Sequence, residues 1–418
     1  MAIVALVGTL DTKGTEYGLL RDHLHRRGTE TILIDTSAFG TPRVHPDIAG
    51  ADVARAAGTE LADVRALDRG RAVATMARGA TNVVVDLYDS GRLHGVLALG
   101  GSGGTSMATQ VMRALPLGVP KVMVSSMASG NVAPYVGACD ITMMYSVVDI
   151  AGVNRISAPL LANAADAVAG MAEGFARSPR AIRAADLRAQ GRPLIAASMA
   201  GVTTPGVDAA RERLTRLGYE VLVFHASGAG GRSLESLAGQ GLFAGVLDLT
   251  TCELADELVG GILTAGPDRL EAAGRAGVPQ VVSLGALDMV KFGPLDSLPR
   301  RFRDRHVHVH NSSITVIRTT ATECAELGRL MAAKLRTATG PTTVLAPLRG
   351  LSTLGVATGP YHDPQADAAL VAELSAGLDG SAVELRTVDT HLNDPAFGRA
   401  AADRLHHMIG AEEARAAG

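Results

Sequence analysis

The sequence predicts an α/β protein of two Rossmann-like domains, with mostly parallel sheets facing a central cleft. Three observations carry this reading. Short apolar runs alternate with helical patterns, the order of strands covered by crossover helices. Two glycine-rich turns each follow an apolar run and precede a helix, at Gly100–Thr105 and at Gly228–Arg232. The same order of strand, Thr/Gly-rich turn, helix and strand then begins again in the second half of the chain.

Ala2–Val7 reads as the first strand, Glu16–Arg27 as a helix stopped at Gly28, and Thr31–Ile34 as the second strand, closed by Asp35. Helical patterns cover Asp52–Ala57 and Asp68–Asp89. Gly95–Leu99 is the strand before the first glycine-rich turn, Ser106–Leu115 its helix, Lys121–Val124 the next strand, and Ser157–Ala176 a long Ala-rich helix. The pattern breaks over Arg177–Pro193. The domains are therefore assigned as 1–188 and 189–418. Strands at Leu194–Ser198, Glu220–Phe224, Gly245–Leu249 and Val278–Ser283 follow, with helices at Gly206–Leu217 and Ser233–Gln240.

Composition narrows the function classes. The chain of 418 residues is 47% hydrophobic and 19% charged, an ordinary globular balance. A formal net charge of −3 without a long basic run argues against nucleic acid as the partner. Aromatic residues make up 3% and Trp is absent, so a base-stacking platform is not expected. Cys139, Cys252 and Cys324 are far apart and form no C-x-x-C, which argues against a cysteine zinc site or a disulfide framework. No apolar run approaches the ~18 residues of a membrane helix. The first residues enter a strand with no charged leader. A cytoplasmic protein without membrane contact is expected.

The first glycine-rich turn is the strongest chemical signal. Gly100, Gly101, Ser102, Gly103, Gly104 and Thr105 would present bare backbone N–H groups at a helix start, where an anion can approach. Neither G-x-x-x-x-G-K-[ST] nor G-x-G-x-x-G is matched, so the ligand stays open, and close βα packing is the alternative. Gly8-Thr-Leu-Asp-Thr-Lys-Gly14 should lie on the same sheet edge. There Thr9, Thr12 and Lys13 can meet phosphates and Asp11 can hold Mg²⁺ or a ribose hydroxyl; Asp11 or Thr12 as a helix cap is the competing reading. Asp35 ends the second strand, where an acid often meets a ribose, or else caps a turn.

In the second half, Gly230, Gly231 and Arg232 can grip a carboxylate or phosphate. His225 ends the preceding strand and can act as acid or base. Ser233 and Glu235 as caps would explain this turn without a ligand. Glu253 follows the Gly245–Leu249 strand on the same edge. His306, His308 and His310 alternate and would share one face of a strand, a pattern open to metal binding or to a plain polar face. His310 and Asn311 lead into a polar turn, and Arg318 closes the next apolar run as an anion clamp.

Taken together, Gly8–Gly14, Gly100–Thr105, Met144–Gly152, Gly230–Arg232, His310–Asn311 and Arg318–Thr320 resemble the uncharacterised ATP-binding family that includes the tomato mosaic virus resistance protein of tomato. The resemblance spans nearly the whole chain. It implies ATP, Mg²⁺ and self-association as a homo-oligomer. In the plant member a TIM-barrel domain follows. This chain ends without one, so the resemblance implies such a partner in trans.

The expected function is ATP binding, with phosphates on Gly100–Thr105 beside Thr12 and Lys13. Chemistry would fall on a small acidic metabolite held by the second domain, with His225, Glu253 and His310 as acid–base groups. Three alternatives stand beside it: a non-catalytic ATP-regulated binding or oligomerisation module, a metal-dependent hydrolase or lyase using His306, His308 and His310, and a sugar-phosphate or carboxylate enzyme whose anion loops never bind ATP.

Overall fold

The architecture is that of a computed structural model, which describes residues 1–178 and 191–417. The chain divides into two compact units, Met1–Ile182 and Arg183–Gly418. The boundary expected between 188 and 189 lies outside the described residues.

The first unit runs β1 (Ile3–Gly8), α1 (Leu10–Arg26), β2 (Glu30–Asp35), α2 (Gly50–Ala56), α3 (Leu61–Arg65), α4 (Arg69–Asp89), β3 (Gly95–Gly100), α5 (Ser102–Arg113), β4 (Lys121–Ser125), α6 (Ala133–Val136), β5 (Thr142–Tyr145) and α7 (Ser157–Arg177). All strands are parallel, in the order β2-β1-β3-β4-β5. Alternation along β1 builds both cores. Val4 and Leu6 pack with residues of α1 and α7, while Ala5 and Val7 face α2, α4 and α5. A sheet buried on both faces needs near-continuous apolar strands, which is how these runs read. The strand order reverses between β1 and β3. In doubly wound sheets the crevice at such a switch point is the usual ligand site.

The second unit runs β6 (Leu194–Met199), α8 (Thr204–Arg216), β7 (Glu220–His225), α9 (Ala229–Gly239), β8 (Gly245–Thr250), α10 (Glu253–Val259), α11 (Ala272–Arg275), β9 (Gln280–Gly285), β10 (Met289–Phe292), β11 (Val307–Asn311), β12 (Ile314–Arg318), α12 (Ala321–Leu335), β13 (Thr342–Pro347), α13 (Pro364–Leu378), β14 (Glu384–Val388) and α14 (Pro395–Ala417). Its main sheet is parallel, in the order β14-β13-β9-β8-β6-β7. An antiparallel sheet, β10-β12-β11, is inserted between β9 and β13. The expected class, two α/β units with mostly parallel sheets, is therefore found.

Two helices begin earlier than the residue pattern indicates. α1 starts at Leu10 rather than near Glu16, so Thr9 alone separates it from β1. α5 starts at Ser102 rather than Ser106 and takes Gly103 and Gly104 into its first turn. Glycine and threonine disfavour helix interiors but cost little in a first turn, where backbone N–H groups are unpaired in any case.

Candidate functional site

Two helix amino ends flank the β1/β3 switch point, and their hydrogen bonding differs. At α1 the N–H of Leu10 is taken by Asp35 Oδ1 at 3.2 Å and that of Asp11 by Ser37 Oγ at 3.1 Å. Asp35 also accepts the N–H and hydroxyl of Ser37 and is buried, so its carboxylate ties the chain after β2 to α1 and does not serve a ribose. At α5 the first internal bond is Thr105 N–H to the Gly101 carbonyl at 2.8 Å. Among the described residues, the N–H groups of Ser102, Gly103 and Gly104 have no protein acceptor.

The glycines make room for this end. A Cβ on Gly100 would stand 2.8 Å from the Cα of Gly104, so the turn closes only without a side chain there. A Cβ on Gly103 would meet nothing within 4 Å, so that position opens outward. Thr105 differs from its expected role. It is fully buried, and its hydroxyl is shared with Ser125 Oγ at 2.6 Å, so it braces the turn against β4 and is closed to phosphate. Ser126, on the polar loop that follows β4, borders the same end. A Cβ on Gly101 would lie 3.7 Å from its hydroxyl, beside the open amides.

The rest of the Gly8–Gly14 block is sorted by contact. The Thr9 and Thr12 hydroxyls are 2.9 Å apart and exposed at the sheet edge. Lys13 Nζ donates to the carbonyl of Ile150, which holds this ammonium against the chain following β5. Asp11 Oδ2 accepts the N–H of Gly40 at 3.2 Å, while Oδ1 is buried and unpartnered. This carboxylate faces the segment after β2, on the side of β1 away from β3. A Cβ on Gly40 would come within 2.5 Å of it, so Oδ2 is packed against the Gly40 backbone. Asp11, expected to hold Mg²⁺, therefore lies apart from the open amides of α5. Between β1 and β3 stands the phenol of Tyr17, which donates to the Val7 carbonyl and accepts the Leu99 N–H at 3.0 Å. Burial holds this phenol well above its ordinary pKa, so it stays neutral as the floor of the crevice.

The second glycine-rich turn carries an anion of the chain itself. Glu253 Oε1 accepts the N–H groups of Gly228 at 2.6 Å and Gly231 at 3.1 Å. Its Oε2 takes Arg269 Nε at 2.7 Å. Arg269 also meets Asp248 Oδ1 at 2.8 Å and Glu235 Oε1 at 3.1 Å, and is 1% exposed. Burial alone would lower its pKa, but Asp248, Glu253 and Glu235 carry the guanidinium above its ordinary range. Glu253, expected as an acid–base residue, is thus an internal counter-charge. Gly230 and Gly231 are packing positions: a Cβ would stand 2.0 Å from the His225 carbonyl oxygen and 2.2 Å from Glu253 Oε2, respectively. Arg232 donates to the Thr264 carbonyl at 2.9 Å. Glu235 receives the N–H groups of Leu270, Glu271 and Ala272 and so caps the start of α11, a long-range role that local spacing cannot reveal.

Arg318, expected as an anion clamp, is buried and bound to Asp367 Oδ1 at 2.7 Å and the Tyr361 carbonyl at 2.9 Å. The three histidines do not form one face. β11 begins after His306, and its register shifts between Val309 and Asn311, so the bulge falls at His310. His306 packs edge-on against the Tyr361 ring. Among the described residues no three His, Cys, Asp or Glu side chains are grouped to hold a metal ion. His225 and His310 are exposed, and Asn311 Oδ1 accepts the Ser313 N–H in the turn after β11. Among the described residues no helix is long and apolar enough to cross a membrane.

Comparisons with known proteins agree along the whole chain. Residues 2–177 match the model described as "Uncharacterised protein family (UPF0261) N-terminal domain", and residues 192–409 match its C-terminal domain. A UPF0261 protein of Clostridium tetani is 44% identical over 97% of this chain and 98% of its own length. The ToMV resistance protein Tm-1(GCR237) of Solanum lycopersicum is 36% identical over 96% of this chain and 55% of its own length. Among solved structures, a putative UDP-N-acetylglucosamine 2-epimerase from Listeria monocytogenes aligns over 93% of this chain and 99% of its own, at 12% identity and a TM-score of 0.23, and at that score the likeness carries no argument. With both domain models matched in order and relatives above 40% identity along its length, the chain belongs to the UPF0261 family.

Proposed function

We propose that this protein binds ATP at the amino end of α5, in the crevice where β1 and β3 diverge. The observation that carries the reading is the set of three unclaimed N–H groups, on Ser102, Gly103 and Gly104, opening outward at Gly103. Unpaired amides and a positive helix end suit a polyphosphate. The Thr9 and Thr12 hydroxyls stand on the same sheet edge and add uncharged donors. Lys13 is a weaker contributor than its position suggests, because its ammonium is already engaged by Ile150. Mg²⁺ would accompany the nucleotide, and no carboxylate among the described residues is assigned to it.

Phosphoryl transfer to a small acidic metabolite now rests on fewer groups than the sequence offers. Glu253 and Arg318 are withdrawn as buried ion-pair members, which leaves His225 and His310 as the exposed acid–base candidates. That withdrawal favours a second reading, in which ATP binds without being consumed and sets the state of a binding module.

Titration calorimetry with ATP on the wild type and on Gly103→Val tests the site. The wild type binds, and the variant, folded by circular dichroism, does not. Equal binding by both, or by neither, overturns it. Phosphate release under saturating ATP and Mg²⁺ then separates turnover from regulation.

A further inference from the structure

The chain between β5 and α7 turns back across the carboxyl edge of the first sheet. It leaves β5, the outermost strand, at Tyr145, and the Ser146 N–H is taken at 3.2 Å by the carbonyl of Ser125, the last residue of β4. Further on it reaches α1. There Glu16 Oε1 accepts the Gly152 N–H at 2.7 Å, and the Ile150 carbonyl takes the Lys13 ammonium. β3 lies between β4 and β1, so Ser146–Gly152 forms a strap across the end of the strand that leads into the Gly100–Gly104 turn.

Both ends of the strap meet the proposed site. Ser125, which holds one end, also braces Thr105 through its hydroxyl. At the other end, Lys13 stands one helical turn before Tyr17 on the same face of α1, and the Tyr17 hydroxyl accepts the N–H of Leu99, the neighbour of Gly100. Helical side chains lean toward the amino end of their helix, which for α1 is the sheet edge. The strap is also strained. Val147 has φ 62°, a left-handed conformation that costs a β-branched residue free energy. Its side chain is 56% exposed, so the conformation is imposed by the tethers on either side and not by burial. A small cavity lined by Glu16, Val124, Val148 and Leu161 lies beneath, and the firm point is the buried side chain of Ile150.

We infer that the strap Ser146–Gly152 is a nucleotide-responsive latch, loosened when a polyphosphate draws Lys13 away from the Ile150 carbonyl. The inference rests on the ATP reading above. An ammonium bonds a phosphate oxygen more strongly than a neutral carbonyl, so phosphates on the α5 amides compete for Lys13. Once Lys13 turns, the strap keeps its bonds to Ser125 and Glu16 but loses the tether at Ile150, and Val147 is free to leave its strained conformation. The coupling is reciprocal: the carbonyl that restrains Lys13 weakens its hold on phosphate by the same amount that phosphate weakens the strap.

Hydrogen exchange over Ser146–Gly152, read by mass spectrometry on the full chain with and without saturating ATP, tests the latch. ATP should speed exchange there by about fivefold, the effect of losing one hydrogen bond. Lys13→Met keeps the reach of the side chain and removes its donor. Its strap should exchange at the faster rate with or without ATP, while β1 stays protected. Thermal melts confirm that the variant folds, and the wild-type comparison does not depend on it. If the wild type binds ATP by calorimetry and the strap is unchanged or slowed, the latch is overturned and the nucleotide site is not. A Lys13→Met strap no faster than that of the wild type also overturns the latch. Absence of ATP binding overturns the latch and the nucleotide site together.

Discussion

Glu253 accepts the N–H of Gly228 at 2.6 Å and so holds the place at the amino end of α9 that an external anion would take. Among the described residues, the equivalent end of α5 has no such carboxylate. Two turns that look alike in sequence are thus opposite in chemistry: one is closed by the protein's own charge, and the other is open.

The difference shows in glycine substitutions. Gly103→Ala adds a methyl to open space in a helical turn, and stability should be unchanged or higher by up to about 1 kcal/mol. Gly230→Ala places a Cβ 2.0 Å from the His225 carbonyl oxygen and should lower stability by roughly 1–3 kcal/mol. Urea unfolding of the two variants measures both.

Removing the internal anion should be more damaging than removing an exposed acid. Glu253→Ala leaves two buried N–H groups unpaired and takes one of three carboxylates from Arg269. A loss of roughly 3–5 kcal/mol is expected for a broken buried pair. The melting temperature reads it, and ATP affinity measured below the transition should be unaffected.

Tyr17→Phe tests the floor of the proposed crevice. The phenol bridges β1 and β3 where their pairing ends, beyond Val7 and Ala98. Its loss leaves the Leu99 N–H without a partner and should cost about 1–3 kcal/mol. Nucleotide affinity should fall less than in Gly103→Val, because the ring still fills the gap.

A pH dependence follows from Asp367. Burial pushes its carboxyl from 3.8 up to about 6, against the pull of Arg318. The folded protein then binds a proton more tightly than the unfolded chain, so this group's contribution to stability is greatest below about pH 4 and is lost as pH rises toward about 6. The stability of wild type relative to Asp367→Asn should fall across that window and level off above it. A difference flat or rising with pH would contradict the assignment.

Much of the fold was legible in the residues. Apolar runs of strand length, helical periodicity and stop signals such as Gly28 located both βα series, because these elements depend on interactions close in sequence. The open turn at Gly100–Gly104 was legible for the same reason: glycine beside a strand end exposes backbone whatever surrounds it. The early starts of α1 and α5 were harder to read, since Thr and Gly read as loop, and the bonds from Asp35 and Ser37 that cap α1 come from across the sheet.

The sequence by itself determined two α/β series and two places where helix amides would lack an intrahelical partner. Only the tertiary structure decided what meets those amides. The strand order β7-β6-β8 brings Glu253, the first residue of α10 after β8, onto the turn after β7, and Arg269 then fixes its charge. Asp35, in turn, is drawn to α1 because β2 lies beside β1. Local patterns establish that a backbone donor is free. Which acceptor reaches it is set by packing between distant segments, where a buried charge is tolerated only with its partners in place.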